Sequence, residues 1–409
     1  MMVVVAPVRA GAEENGLKIG DGRLHPYFDL EGRYDSAAQI NVVNGSASGL
    51  GDFILHFRPG FKLDVPSPTF AVTLSADGDY LVYTGLNSSN ASQLNRLQAE
   101  ADLDLGIFRG SVVGLDIGDH FTRSDQTTNV GLPYGVLSLF NDARAAVTIA
   151  PGGGSLTISP GYHFLVETFQ ALANVTAAGT PTVDFGNLNY TQHRITLENR
   201  WRFLPKTAVL LDGEYDIRNY GSTAPATAGE TPNQNISYFK ASTGLTGLIT
   251  PHFSTVLKLG WAMDLTAGSF SSLIAQAEGT YIASETSQLR LGFLRNFEPV
   301  SSPYVSYEDD RGYLQGRVTF FGRLTLNGYA AVDYLGFRQG DNATPGSQPR
   351  NDLLFTISAG ADFEVTRWFI LGAGDQFTTR STDQPTADIQ FAGLNLTEDQ
   401  VYLRLTFTY

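Results

Sequence analysis

From residue 24 onward the chain alternates apolar and polar side chains with period two, and it does so to its last residue. Phe28, Leu30, Gly32 and Tyr34 share one face, against Asp29, Glu31, Arg33 and Asp35 on the other. Leu97, Ala99, Ala101, Leu103 and Leu105 alternate with Arg96, Gln98, Glu100, Asp102 and Asp104. Val209, Leu211, Gly213, Tyr215 and Ile217 alternate with Asp212, Glu214, Asp216 and Arg218. Strands of soluble sheets average about 5 to 6 residues. These runs are about twice that length, and no helical period interrupts them. Long apolar-out, polar-in runs separated by turns are the pattern of a transmembrane β-barrel.

About eighteen runs are expected, over 25–36, 50–64, 69–85, 93–107, 109–121, 135–149, 155–169, 188–202 and 206–220 in the first half. The second half gives 236–249, 252–266, 269–283, 286–298, 304–320, 322–337, 351–364, 366–380 and 397–409. The alternative count is sixteen, if two weak runs around 135–169 are not strands. The fold class is therefore all-β, an antiparallel up-and-down barrel. The connections alternate between tight and long. Tight ones include Phe108-Arg109, the Gly152-Gly153-Gly154 turn, Leu204-Pro205 and Phe321-Gly322. Long ones fall near 37–49, 86–92, 122–134, 170–187, 221–235, 338–350 and 381–396, and those at 122–134 and 170–187 are long enough to fold in and constrict a lumen. Short turns belong on the periplasmic side of such a barrel and long loops outside. Aromatics gather at the short-turn edge, where Trp201, Phe253, Trp368, Phe407 and Tyr409 form a membrane-interface girdle.

Composition narrows the function. Charged residues are 17% of the chain, below the roughly 25% of soluble domains. The net charge of -14 argues against nucleic acid as a partner. With no cysteine there is no disulfide framework and no thiol chemistry. No apolar stretch is long enough for a helical span. Met1 to Ala12, ending in Ala10-Gly11-Ala12, reads as the remnant of a signal peptide or as a frayed tail, which leaves 13–409 as a single barrel domain.

No catalytic or cofactor constellation emerges. The six histidines stand singly, without paired metal-ligand spacing. There is no nucleophile elbow, and Gly152-Gly153-Gly154 lacks the Lys-Ser/Thr of a phosphate loop. The expectation is no enzyme, no metal and no cofactor. If the apolar faces meet lipid, Asp29, Glu31, Arg33, Glu100, Asp102, Asp104, Arg194, Arg200, Asp212, Glu214, Asp216, Arg218, Arg290 and Arg404 face a lumen. That many charges in a dry core would be costly, so the lumen holds water. Cross-strand ladders that stiffen the wall are the other reading of the same charges. Eighteen strands about 4.8 Å apart, tilted about 40°, give a backbone radius of roughly 18 Å. The mixed charge argues against a strongly anion-selective pore.

The last strand, Asp399 to Tyr409, ends in an aromatic with apolar residues at every second position before it. It resembles the C-terminal signal of bacterial outer-membrane proteins, which implies the barrel-assembly machinery as a partner. The opening Gly16 to Tyr34-Asp35, containing Gly20-Asp-Gly-Arg-Leu-His-Pro-Tyr-Phe-Asp-Leu-Glu-Gly-Arg, resembles the start of a β-barrel porin family, some of whose members are linked to exopolysaccharide secretion. That resemblance implies a Gram-negative outer-membrane pore that exports polysaccharide beside a periplasmic polysaccharide-export protein. It carries no functional residue over. The alternative is a general or substrate-specific diffusion porin, and a third reading is a closed structural or adhesive barrel.

Overall fold

Lipid offers the backbone no hydrogen-bond partner, so a sheet that spans a membrane must have every strand paired on both sides. The computed structural model meets that condition. It describes residues 16–43, 46–86, 94–125, 136–171, 185–221, 235–266, 270–300, 304–338, 349–383 and 395–409. A short strand β1 (Leu17–Ile19) precedes eighteen long ones. These are β2 (Gly22–Val43), β3 (Ser46–Val65), β4 (Phe70–Tyr83), β5 (Arg96–Ile107), β6 (Val113–Ser124) and β7 (Val136–Ile149). Next come β8 (Leu156–Ala171), β9 (Tyr190–Leu204), β10 (Thr207–Tyr220), β11 (Ile236–Thr250), β12 (Phe253–Asp264) and β13 (Ser271–Ser284). The last are β14 (Ser287–Pro299), β15 (Ser306–Phe320), β16 (Leu324–Arg338), β17 (Arg350–Thr366), β18 (Phe369–Thr382) and β19 (Leu396–Thr408). From β2 on, each strand pairs antiparallel with its sequence neighbour, and β19 returns to β2. The seam runs from Gln400↔Asp35 to Thr408↔Tyr27, and the Tyr409 amide donates to the Pro26 carbonyl at 3.1 Å. The result is a closed eighteen-strand barrel, and all eighteen runs expected from alternation are strands.

Two expectations need correction. The connection placed at 37–49 is largely strand: β2 and β3 stay paired to Val43↔Ser46 beyond an irregularity between Asp35 and Gln39. Asn44-Gly45, a strong two-residue hairpin signal in sequence, falls between these paired ends and lies outside the described residues. The first run, expected from 25, begins earlier at Gly22, and the three residues of β1 fold back on Gly22 to Leu24. The proposed signal remnant at 1–12 lies outside the described residues.

The tight turns follow from backbone conformation. Gly152, Gly153 and Gly154 all take positive φ, 65°, 76° and 80°, which side chains resist, so the triple glycine is a turn. The outer face is predominantly apolar: Leu211, Leu257, Leu259, Leu291 and Leu403 are all more than half exposed. A soluble protein does not leave so large an apolar surface open. It is the surface of a barrel whose solvent is lipid. At the short-turn edge Trp201 lies beside Phe203, ring centres 6.0 Å apart, and Trp368 stacks on Phe407 at 6.5 Å. Phe253 and Tyr409 are exposed on the same edge.

Leu259→Arg, in the middle of the apolar belt, is expected to destabilise the folded barrel by about 2–4 kcal/mol. Glu198→Arg, on the opposite face of β9, is expected to cost far less. Denaturant unfolding of the two variants in lipid vesicles measures the difference.

Candidate pore lining and mouth constriction

Because β-strand side chains alternate, the registers place every sequence-predicted lumen residue on the face opposite the exposed leucines. Asp29, Glu31 and Arg33 project inward from β2, and Glu31 accepts from Arg33 at 2.9 Å. Glu100, Asp102 and Asp104 do so from β5, where Asp104 meets Arg144 at 2.9 Å. Arg194 and Arg200 do so from β9, and Asp212, Glu214, Asp216 and Arg218 from β10. Arg290 faces Glu278 at 3.5 Å, and Arg404 donates to Asp362 at 2.7 Å.

Many of these charges are paired on the inner face, some between adjacent strands and others across an intervening strand. Arg194 bonds Asp216 at 2.8 Å, and Lys258 bonds Asp212 at 2.6 Å. His56, His120 and His163 each hold a carboxylate through Nδ1: Asp79 at 3.0 Å, Asp102 at 2.6 Å and Asp142 at 3.1 Å.

Water access along the inner face is uneven. Toward the short turns the face is wet: Glu198 and Arg200 are exposed, and the Asp104 carboxyl side chain is 48% exposed. Toward the loops it is dry: Tyr190, Gln192, Asp216, Arg218, Tyr238, Phe337 and Arg350 are buried. The interior therefore narrows from the turn side to the loop side. A recess on the turn side of β14 to β19 is lined by Arg290, Arg317, Tyr329, Asp362 and Arg404, with Asp29 from β2.

The narrowing has an identifiable cause. The β13–β14 ladder stops at Ala275↔Arg295, while β12–β13 continues to Met263↔Ser271 and β14–β15 to Pro299↔Ser306. The wall parts there, and the Arg295 guanidinium donates to the Leu273 carbonyl at 3.1 Å where the strand partner has gone. Phe297 belongs by alternation to the lipid face, yet it is 0% exposed. It packs edge-on to Tyr238 at 6.2 Å and stacks on Phe270 at 5.6 Å. Tyr238 sits on β11, three strands away, a separation of about 14 Å along a wall of normal spacing. That contact requires the end of β14 to cross inside the barrel.

Polar anchors fix it there. Lys240 of β11 meets Glu298 at 3.1 Å and Glu214 at 3.2 Å. Arg218 donates to the Pro299 carbonyl at 3.2 Å and to Gln192 at 2.8 Å, and lies 3.9 Å over the Tyr190 ring. The hairpin closes with Val300 N–H donating to Val305 O at 3.0 Å. On its other flank Tyr304 and Tyr307 contact Phe337 at 5.3 and 5.5 Å. Arg350, fully buried, lies 4.2 Å over the same ring and pairs with Asp352. Val136, Phe169, Tyr190, Tyr220, Ile236 and Phe297 join one apolar cluster across the mouth.

The constricting segment was not foreseen. The sequence placed constriction in 122–134 and 170–187, of which residues 126–134 and 172–184 lie outside the described residues. Gln192, Tyr238, Lys240, Phe297, Glu298, Arg350 and Asp352 were missed. Only the inward position of Lys240 was legible, from the alternation Tyr238-Phe239-Lys240-Ala241.

No family model matches the chain, and no curated protein matches it. Among solved structures it is similar to the outer membrane protein OpdK from Pseudomonas aeruginosa, at 14% identity and TM-score 0.46, covering 94% of this chain and 98% of that one. It is similar to OccAB3 from Acinetobacter baumannii at 11% identity and TM-score 0.49, covering 96% and 100%. It is also similar to the siderophore receptor PirA from Pseudomonas aeruginosa at 9% identity and TM-score 0.45, covering 95% and 80%. No residue role is carried over from any of them.

Asp352 holds two buried guanidinium groups, Arg350 and Arg380, the second at 2.5 Å. Asp352→Ala is expected to cost about 3–5 kcal/mol, because it leaves buried charge uncompensated. Denaturant unfolding in vesicles measures this loss. Replacing Asp352, Arg350 and Arg380 together by leucine is expected to recover part of it.

Proposed function

We propose that the chain is an outer-membrane diffusion channel for small polar solutes, with a preference for cations. The closed barrel with an apolar outer face and a wet inner face supports a transmembrane passage. One observation carries the preference. On β4 to β7 the inner face presents Asp77, Glu100, Asp102, Asp104, Asp116 and Asp142, against Arg96 and Arg144, with Arg109 of the adjoining turn on Asp116 at 2.8 Å. Several of these carboxylates stand in water on the wide side of the interior, where they concentrate cations and repel anions.

Polysaccharide export, implied by the resemblance of the N-terminal segment, is the weaker reading. A sliding polymer needs a clear bore, and the inserted β14–β15 end with its salt bridges occupies the loop-side mouth. Transport and catalysis also differ in what they need. The inner-face charges serve one another in cross-strand pairs, an arrangement suited to a stable polar wall. A lumen closed throughout would make the barrel structural and non-conducting.

Planar-bilayer recording separates these readings. Inserted protein is expected to give stable steps whose reversal potential in a salt gradient has the sign of cation preference. Glu100→Gln/Asp102→Asn/Asp104→Asn is expected to reduce that preference, and Phe297→Ala to raise conductance by loosening the mouth. Inserted protein that never conducts, or that prefers anions, contradicts the proposal.

A further inference from the structure

Among the described residues the lipid-facing wall carries charge in three places: on β6, on β18–β19, and at the parted end of β14–β15, where Arg295 meets Asp310 at 2.9 Å. β6 and β12 are both twelve residues long. At their fifth, seventh, ninth and eleventh positions β12 presents Leu257, Leu259, Trp261 and Met263 outward. At the same positions β6 presents Ile117, Asp119, Phe121 and Arg123. The outward assignment of Asp119 is fixed by its register, opposite Leu103 on β5 and Ala143 on β7.

The polar break extends along neighbouring strands. Asn141 of β7 donates to Asp119 at 3.0 Å. One cross-strand row runs Asp119, Ala143, Phe164, His193. His193 of β9 is bonded by the Tyr162 hydroxyl at 2.7 Å. Ala99, Ala101, Ala143 and Ala145 face outward between these groups, so the surface is low there, with Phe121 and Phe164 beside it. Lipid cannot hydrogen-bond to these groups or neutralise their charge. A protein surface can do both.

We propose that the outer face of β6 to β9 docks against a second copy of this chain within the membrane. The occupant follows from charge. The patch holds an acid, Asp119, and the bases Arg123 and His193, so it is complementary to itself, as an isologous contact requires. Asp375 of β18, diagonal to Asp399 of β19, holds one sign of charge only and is not self-complementary, and Arg295 and Asp310 at the parted end of β14–β15 already neutralise each other at 2.9 Å. Flat small-residue surfaces let two walls approach closely enough to gain dispersion energy that lipid chains do not supply. The inference rests on the reading that the barrel spans a membrane.

The absence of cysteine makes the test clean. Ala143→Cys at the patch centre and Leu259→Cys on another part of the wall are oxidised in native membranes. In parallel, light scattering gives the protein mass of the detergent-extracted wild type and of Asp119→Leu/Arg123→Leu. Disulfide-linked dimers are expected from Ala143→Cys and not from Leu259→Cys. The wild-type mass is expected at twice 44.3 kDa or more, and at a single chain in the double leucine variant, which suits lipid better and so folds. A single-chain wild type that also fails to cross-link at Ala143, or an oligomer that cross-links at Leu259 instead, overturns the proposal. A protein that stays in water without detergent would instead defeat the membrane reading beneath it.

Discussion

A backbone amide without a partner in hydrocarbon costs several kcal/mol, and every other feature of this barrel follows from that constraint. It forces the strands to pair on both sides and therefore forces β19 onto β2. Closure then divides the side chains into two populations by parity alone. Leu257 and Leu259 meet lipid, while Lys258 between them reaches Asp212 inside. The same parity explains why a chain with so few charges concentrates them on one face, where pairing and water make them tolerable.

The place where closure is relaxed is the place where the interior changes. Above Ala275↔Arg295 the wall opens, and the freed end of β14 turns its outer face onto the inner face of β10 to β12. Phe297 exchanges lipid for Tyr238 and Phe270, and Glu298 finds Lys240. A side chain that belongs by parity outside thus becomes part of the mouth. On the proposed reading, the wide turn side and the packed loop side together form a passage whose selectivity is set by charge first and by bore second.

Much of this was legible in the sequence. Alternation gave the strand number, the inward charges and the aromatic edge, because a period of two is a local property that burial on one face preserves. The continued β2–β3 pairing was not read from the sequence: taking 37–49 as a loop underweighted the Asn44-Gly45 dipeptide against the polar run Asn41 to Ser48. The inserted β14–β15 end was not legible. Phe293 and Phe297 keep the alternation of the wall strands, and the one local irregularity is Arg295, a charge at an outward position where the ladder with β13 ends. The same holds for Arg350 and Asp352, whose burial depends on Phe337 and Tyr304 arriving from distant strands. Asp119 was visible as an acid in a run, but its outward position needed the register to Leu103.

The central claim is that one face of each strand meets lipid and the other meets water inside a closed barrel. Single cysteines placed in turn at residues 195 to 201 of β9 test it directly, using a membrane-impermeant thiol reagent on protein folded in vesicles. The account predicts labelling at Thr196, Glu198 and Arg200, and protection at Ile195, Leu197 and the lipid-facing Trp201. Labelling without alternation, or protection at all positions, would contradict it.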